Sequence, residues 1–494
     1  MQKFKFTIPG VLSILFIISI CPATEGCKKK PVEEPVVPPV SDAVKRNIII
    51  EKSTRYQTID GFGFFGANDV WWASQNLWND AWGEKIINDL GITIWRNEWF
   101  PPSVPGASQD ADWNKQKPVV QGLKAKADKY GVTMKYIISV WSPPADMKWL
   151  CNFSWAGDAN ATRNAGTVST KNGGTLNPYK YNDYAGWLKI CIQSYKDIGV
   201  DLYALSLQNE PLFSESYNSC TYTTAWYCDL LNNVVPLIKA TYPQVKIFGA
   251  ENMLEMEGKS NNWPYFYHQA IKNNTNATNN IDILAVHGYS DGVSASSGSE
   301  LAKMWSNHSA QFSAPMNKPV WMTETSGYAE TWTGLGTIPG ALNLAMDIYS
   351  GLNYGNMQAW VWWQGSEASG ISNYSLMSNN LGGKKYYVSK HFFRYIRPGA
   401  VRVKSSSDDP DIFVTAFENQ EKGTSTIVII NNGSETKSLS IQGADLPAVY
   451  KIYLTTSGPA ENCEESGTIN TGQDSRFDLP AKSIVTLQAG GDPL

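Results

Sequence analysis

A (β/α)8 TIM barrel fused to an antiparallel β-sandwich side domain, an α/β fold overall, is what three features of this 494-residue sequence predict. Between residues 61 and 363, eight short and nearly continuous apolar runs recur, the pattern of strands buried on both faces. Longer amphipathic stretches separate them, several closed by a glycine such as Gly91, Gly131 or Gly199. Beyond about residue 385 the pattern changes to short alternating segments parted by turn residues, which reads as antiparallel sheet.

In chain order, Lys3 and Lys5 precede an apolar run over 8–20 that is too short to span a membrane comfortably. Residues 1–26 are therefore expected to be a secretion signal. A lysine-, proline- and glutamate-rich tether over 27–45 follows, opened by Gly26-Cys27. A small residue before the cysteine and a polar tether after it make Cys27 the expected lipidation site. The chain is then expected as a lipoprotein of the bacterial cell surface or outer membrane, in the periplasm, or simply secreted. Any membrane association would run through that lipid.

Residues 46–60 hold a first strand that can join the side domain, with the chain's last strand expected beside it. The barrel is expected over 61–384. Its strands fall over 61–66, 92–98, 134–141, 202–208, 245–250, 281–287, 320–325 and 357–363. Helical patterns lie over 82–90, 119–130, 184–198, 225–241, 265–273 and 338–352. Strand–helix units on this scale suit a barrel, whose usual length is about 250 residues before insertions. The side domain over 385–494 contributes strands over 400–404, 412–417, 425–430, 437–441, 449–454 and 484–487.

Composition removes several function classes. With 41 Lys+Arg against 45 Asp+Glu there is no basic excess, so nucleic acid is not an expected partner. Gly61-Phe62-Gly63 lacks the third glycine of a dinucleotide fingerprint. No CxxC occurs and the four histidines are scattered, so neither a metal site nor an organic cofactor is expected. Cys220 and Cys228 bracket a short segment and could pair, which spacing alone does not decide. No coiled-coil pattern is present, and a monomer is the default. All 19 tryptophans lie between Trp71 and Trp363, which places indole rings in the barrel and none in the sandwich.

Barrel chemistry sits at the C-terminal ends of the strands. The fourth strand ends Ser206-Leu207-Gln208-Asn209-Glu210-Pro211, and the seventh ends Trp321-Met322-Thr323-Glu324-Thr325. Each puts a carboxylate at the end of an apolar strand, where burial without a task is costly. Strands four and seven face each other across the mouth, and two carboxyl groups so placed suit retaining glycoside hydrolysis. Glu210 would be the acid/base, its proton held by the apolar mouth and a neighbouring carboxylate. Glu324 would be the nucleophile, and Asn209 would donate to the sugar 2-hydroxyl.

The motifs QTIDGFG (57–63), WSPP (141–144), SLQNEP (206–211), DILAVHGY (282–289), WMTE (321–324), AWVWW (359–363) and SKHFFRYIRPGAVRV (389–403) run in order along the chain. In these the sequence resembles glycoside hydrolase family 30, a retaining (β/α)8 family with a fused β-sandwich. The resemblance implies that Glu210 is the acid/base, that Glu324 is the nucleophile, and that the reaction needs no cofactor. With it come expected supporting positions. Arg96, ending strand two, would hydrogen-bond the nucleophile and keep it ionised. Trp141, ending strand three, would floor the sugar site. His287 or Tyr289, ending strand six, would orient Glu324 or touch substrate. Of Trp362 and Trp363, alternation sends one to the mouth and the other against the helices. Trp71, Trp99, Trp149 and Trp155 are loop candidates for sugar stacking.

The motifs are nearest to the family's bacterial xylan-cleaving branch. Members that read glucuronic-acid branches carry an arginine just after the eighth strand, and here the segment is Gln364-Gly365-Ser366-Glu367-Ala368-Ser369. The expected partner is a polysaccharide, with an endo-acting β-glycanase on xylan as the leading reading. A β-1,6-galactanase or β-1,6-glucanase is the alternative, and a non-catalytic surface glycan-binding lipoprotein is the rival from another class.

Overall fold

The computed structural model describes residues 43–66, 78–102, 110–260, 263–289 and 291–494. The expected leader, the tether with Cys27, and Trp71 lie outside these residues. Eight parallel strands close into a barrel: Gly61–Phe65, Ile94–Glu98, Lys135–Ser139, Leu202–Ser206, Lys246–Met253, Ile283–Gly288, Val320–Thr325 and Ala359–Trp362. They are the barrel strands one to eight below, and each coincides with one of the apolar runs. The fifth differs most, continuing three residues past its run to Met253.

The apolar content of each run serves two cores. Ile94, Ile137, Ala204, Phe248, Ile283, Ala285, Trp321, Ala359 and Val361 fill the barrel interior. Their neighbours in sequence, such as Trp95, Ile138, Leu205, Val286, Met322 and Trp360, pack outward against the helices. This period-two division is why the runs carry so few polar residues. Gly63 is obligatory in this packing, because a Cβ there would lie 1.8 Å from the carbonyl oxygen of Ile94 on strand two.

The helical layer follows the amphipathic stretches, with several short helices and two longer ones added. A helix over Glu300–His308 lies between strands six and seven, where 300–308 carries too many polar residues to stand out in sequence. The segment assigned to the sandwich opens instead with a helix, Lys384–Phe393. Its Phe393 stacks on Phe62 of strand one at 5.3 Å, so this helix closes the barrel's outer layer. After strand three a small antiparallel sheet is inserted, built from Lys148–Asn152, Thr162–Asn164 and Thr175–Leu176.

The side domain is one nine-stranded sheet whose strands share a single apolar cluster from Ile48 and Leu439 to Tyr450 and Leu487. Val44–Thr58 joins it, antiparallel to Val401–Ser407 and parallel to Lys437–Gln442. The last strand, Ser483–Ala489, does not lie beside the first as expected. It inserts between Thr424–Asn431 and Val449–Thr455, whose inward faces match its fully buried sequence. Strand Asn462–Asn470 is hidden by its polar composition, and Phe477–Leu479 by its length of three residues.

All five cysteines among the described residues are free thiols, so Cys220 and Cys228 do not pair. Cys220 instead contacts the Tyr222 hydroxyl at 3.5 Å, and Cys228 packs into the core on helix Thr224–Lys239. No helix among the described residues is long and apolar enough to cross a membrane.

Candidate active site

Alternation along the barrel strands carries the inward register up to the mouth. Above Ile94 stands Arg96, above Ile137 Ser139 and then Trp141, above Ala285 His287, and above Val361 Trp363. Simple alternation would turn Glu324 outward, since Trp321 faces in. A β-bulge corrects this: Val286 pairs with Met322, but the next residue, His287, pairs with Glu324. The extra residue, Thr323, re-aims the carboxylate toward the barrel axis. Strand five carries a second bulge, where Ala285 opposes Ala250 and Val286 opposes Asn252. It leaves Glu251 in the left-handed region at φ 55°. Glu210 is also left-handed, at φ 45°, just before Pro211. Both glutamates hold backbone conformations that non-glycine residues rarely adopt, a form of strain concentrated at working sites.

These devices converge on one network. Arg96, with no solvent exposure, donates through Nη1 to Glu324 Oε2 (2.5 Å) and through Nη2 to Glu251 Oε1 (2.9 Å) and Asn209 Oδ1 (2.8 Å). Its Nε reaches Ser139 Oγ at 3.1 Å, and that hydroxyl donates to Glu251 at 3.0 Å. Tyr289 donates its hydroxyl to Glu324 Oε1 at 2.5 Å. His287 lies 2.8 Å from Glu210 Oε1 through Nδ1 and 3.5 Å from Glu251 Oε1 through Nε2.

The electrostatics follow from these contacts. Burial alone would lower the His287 pKa, but Glu324, Glu210 and Glu251 override it and push it up to about 9. The ring is then an imidazolium at neutral pH and donates from both nitrogens. Glu210 is raised above the usual carboxylate range by burial, with Glu324 adding to it, against the opposing pull of His287 and Arg96. Glu251 is lowered: burial opposes its charge, but Arg96 and His287 prevail.

Above the network opens a cleft of about 700 Å³. Trp141 and Trp363 line it, their ring centres 5.9 Å apart, and Phe65 packs 4.3 Å from Trp363. Glu98, Glu210, Glu215 and Glu324 are the acidic lining residues, and no Arg or Lys joins them among the described residues.

The expected site residues thus divide. Glu210, Glu324, Trp141, Tyr289 and Trp363 reach the cleft. Arg96 and His287 are fully buried beneath the carboxylates, so they hold the pair rather than face a sugar. Asn209 is clamped to Arg96 at the edge of the network. Trp362 turns outward, as alternation requires of one of the two indoles, and donates to the Tyr374 carbonyl at 2.8 Å. The described loop tryptophans are not among the cleft lining: Trp99 packs on Trp113, and Trp149 stands edge-on to Tyr179. Trp155 is 37% exposed and away from the cleft lining. Glu251 and Glu98 escaped the reading of sequence. Yet Glu98 ends strand two, and the rule that found Glu210 applies to Glu251, which directly follows the run over 245–250.

Glu210, His287 and Glu324 also bring ligand atoms within 4.8 Å of one another, close enough for a metal ion. The donor set does not suit one. A cationic guanidinium already occupies Glu324, and an imidazolium has no lone pair to offer a cation.

Comparison with known proteins gives the following matches. The family model for the glycosyl hydrolase family 30 beta sandwich domain matches residues 399–487. The chain is 26% identical over 453 residues to the glucuronoxylanase XynC of Bacillus subtilis, covering 87% of this chain and 88% of that one. Among solved structures, a family 30 endoxylanase from Clostridium papyrosolvens superposes with a TM-score of 0.69 at 22% identity, covering 90% of this chain and all of that one. An endo-β1,6-glucanase superposes with a TM-score of 0.67 at 19% identity, covering 92% and 94%. The matches support glycoside hydrolase family 30 for this chain.

Proposed function

Starting from the chain as a glycoside hydrolase, we propose that it is a retaining endo-β-glycanase acting on an uncharged stretch of plant-type glycan, with xylan as the favoured substrate. The observation that carries the mechanism is the separation of the two carboxylates. Their oxygens approach within 4.8 Å, close to the roughly 5–5.5 Å of retaining enzymes and short of the 6.5–9.5 Å that inversion needs for a water.

In the first step Glu210, whose proton is held more tightly because of burial, acts as the acid and gives it to the glycosidic oxygen. Glu324 attacks the anomeric carbon and forms a glycosyl-enzyme, while Arg96 and Tyr289 fix its two oxygens. The Nδ2 hydrogens of Asn209, whose Oδ1 is engaged by Arg96, donate to the 2-hydroxyl. Glu210, now a base, draws a proton from water to release the sugar. His287 stays in contact with Glu210 through both steps and stabilises its anionic form when it appears. Trp141 and Trp363 offer the apolar faces on which a pyranose stacks.

The relatives carry the choice of xylan, and the acidic lining qualifies it. With glutamates and no described cation on the cleft wall, a uronate branch would find no clamp. Unbranched or neutral-branched xylan is therefore preferred over glucuronoxylan. The chain is exported, lipid-anchored through Cys27 and monomeric, a reading that rests on residues 1–45 and on the absence of an association motif. Labelling with a radioactive fatty acid, lost in Cys27→Ala, checks the anchor.

A panel of linear xylan, glucuronoxylan, arabinoxylan, β-1,6-glucan and arabinogalactan tests the substrate, with products separated by length. Proton NMR of the first product on the cleaved glycan is expected to show the β anomer; an initial α product would establish inversion and remove the double displacement. Hydrolysis confined to β-1,6-glucan or arabinogalactan would reassign the linkage.

A further inference from the structure

Glu98 lines the cleft but takes no part in the network beneath it. It is 4% exposed, and its carboxyl accepts a hydrogen bond from Asn218 Nδ2 at 3.2 Å. The backbone below is pinned by Gln116, whose amide donates to the Glu98 carbonyl at 2.9 Å. Among the described residues no Arg, Lys or His forms an ion pair with it, although Arg96 lies two residues away on the same strand and is spent on Glu251 and Glu324. A buried carboxylate without a cation is costly, and the neutral acid, which can donate a hydrogen bond, is the cheaper form.

Resting on the glycanase reading above, we infer that Glu98 is a substrate-reading carboxylic acid: held by Asn218, it donates a hydrogen bond to an oxygen of an uncharged sugar unit in the cleft. Asp112 from the following helix and Glu324 from strand seven add negative charge, while the Asn218 hydrogen bond and Arg96 oppose them without outweighing burial. Tyr217, next to Asn218 on the loop after strand four, is neutral, raised further by burial and by the same glutamates. Burial, the largest influence, pushes the Glu98 carboxyl up to about 8. Below that pH it is a donor; above it, the charge would deprive the sugar of its partner and repel any acidic branch.

The test uses Glu210→Gln, which removes the titration of the acid/base, and xylohexaose, or the hexasaccharide of whichever panel glycan the wild type cleaves. Calorimetric affinity is expected to fall about fivefold or more between pH 6.5 and 9, as an ionised Glu98 loses its donor. In Glu210→Gln/Glu98→Gln, whose amide still donates, affinity matches the parent at pH 6.5 and changes less than about twofold with pH. In the active enzyme, Glu98→Ala raises KM about tenfold with kcat little changed, the mark of lost ground-state binding. Equal pH dependence with and without Glu98→Gln, or Glu98→Ala kinetics equal to wild type, would overturn the inference and leave the glycanase standing. Failure of the wild type on every glycan of the panel would overturn both.

Discussion

The barrel mouth and the junction between barrel and sandwich both bury polar groups deeply, yet they balance charge in opposite ways. At the mouth three carboxyl groups, those of Glu210, Glu251 and Glu324, share two cations, Arg96 and His287, and a fourth, Glu98, has no ion pair among the described residues. At the junction the cations are in excess and neutral groups do the rest: Asp89 takes Lys85 as well as Lys390. Lys390 pairs with Asp89 at 2.6 Å, and Arg402 spreads over the amides of Gln57, Asn353 and Asn356. His391 sits between the hydroxyls of Thr486 and Thr455, at 2.8 Å each. The two histidines state the contrast most compactly. Both are fully buried, but burial drives His391 down to about 3 while the surrounding carboxylates drive His287 up to about 9. Burial sets the cost of charge, and the neighbours decide whether that cost is met.

The largest effect expected from disturbing this contrast is catalytic. Glu324→Ala should lower hydrolysis by about 10³-fold or more while oligosaccharide binding survives, since the covalent step is lost and the aromatic floor is not. Rates within tenfold of wild type would show that the excess of carboxylates at the mouth serves something other than double displacement.

Next comes stability. Arg96→Met strips Glu251 and Glu324 of their shared cation and should cost about 3–5 kcal/mol, read from urea midpoints. A loss under about 1 kcal/mol would mean that the network tolerates unpaired charge, and the contrast with the junction would fail.

The finest probe is the pH dependence of stability, where the two histidines act with opposite sign. For His391 the folded pKa is depressed, so the unfolded chain binds more protons between about pH 6.5 and 3, and stability falls on acidification. For His287 the folded pKa is raised, so its contribution is complete below about pH 6.5 and is lost as pH rises through 9. His391→Gln should flatten the acid side of a midpoint-against-pH curve, and His287→Gln the alkaline side. Flattening on the wrong side in either variant would reverse the assignment.

The same contrast separates what sequence could and could not reveal. Apolar runs mark the barrel strands because both faces of each are buried, and Glu210 and Glu324 stand out as charge at the ends of those runs. Glu251 belongs to the same class but follows a bulge, where the chain leaves regular strand geometry and the apolar run has already stopped. Trp362 and Trp363 are alike in composition and are told apart only by register. Asn462–Asn470 and Glu300–His308 are too polar to announce themselves, and they form because neighbouring strands and helices supply partners. The tryptophan-rich stretch did mark the barrel, but most of its indoles are structural: Trp82, Trp95, Trp305, Trp321 and Trp360 are wholly buried.

The strand Val44–Thr58 finds both its neighbours in Val401–Ser407 and Lys437–Gln442, near the opposite end of the chain. During synthesis this strand emerges first and waits, with both edges unpaired, until almost the whole polypeptide exists. The chain therefore has a built-in order of assembly: the sandwich cannot close before the barrel's last strand has been made. A chain broken off late in translation would hold a full barrel sequence yet leave its own beginning as an open, sticky edge.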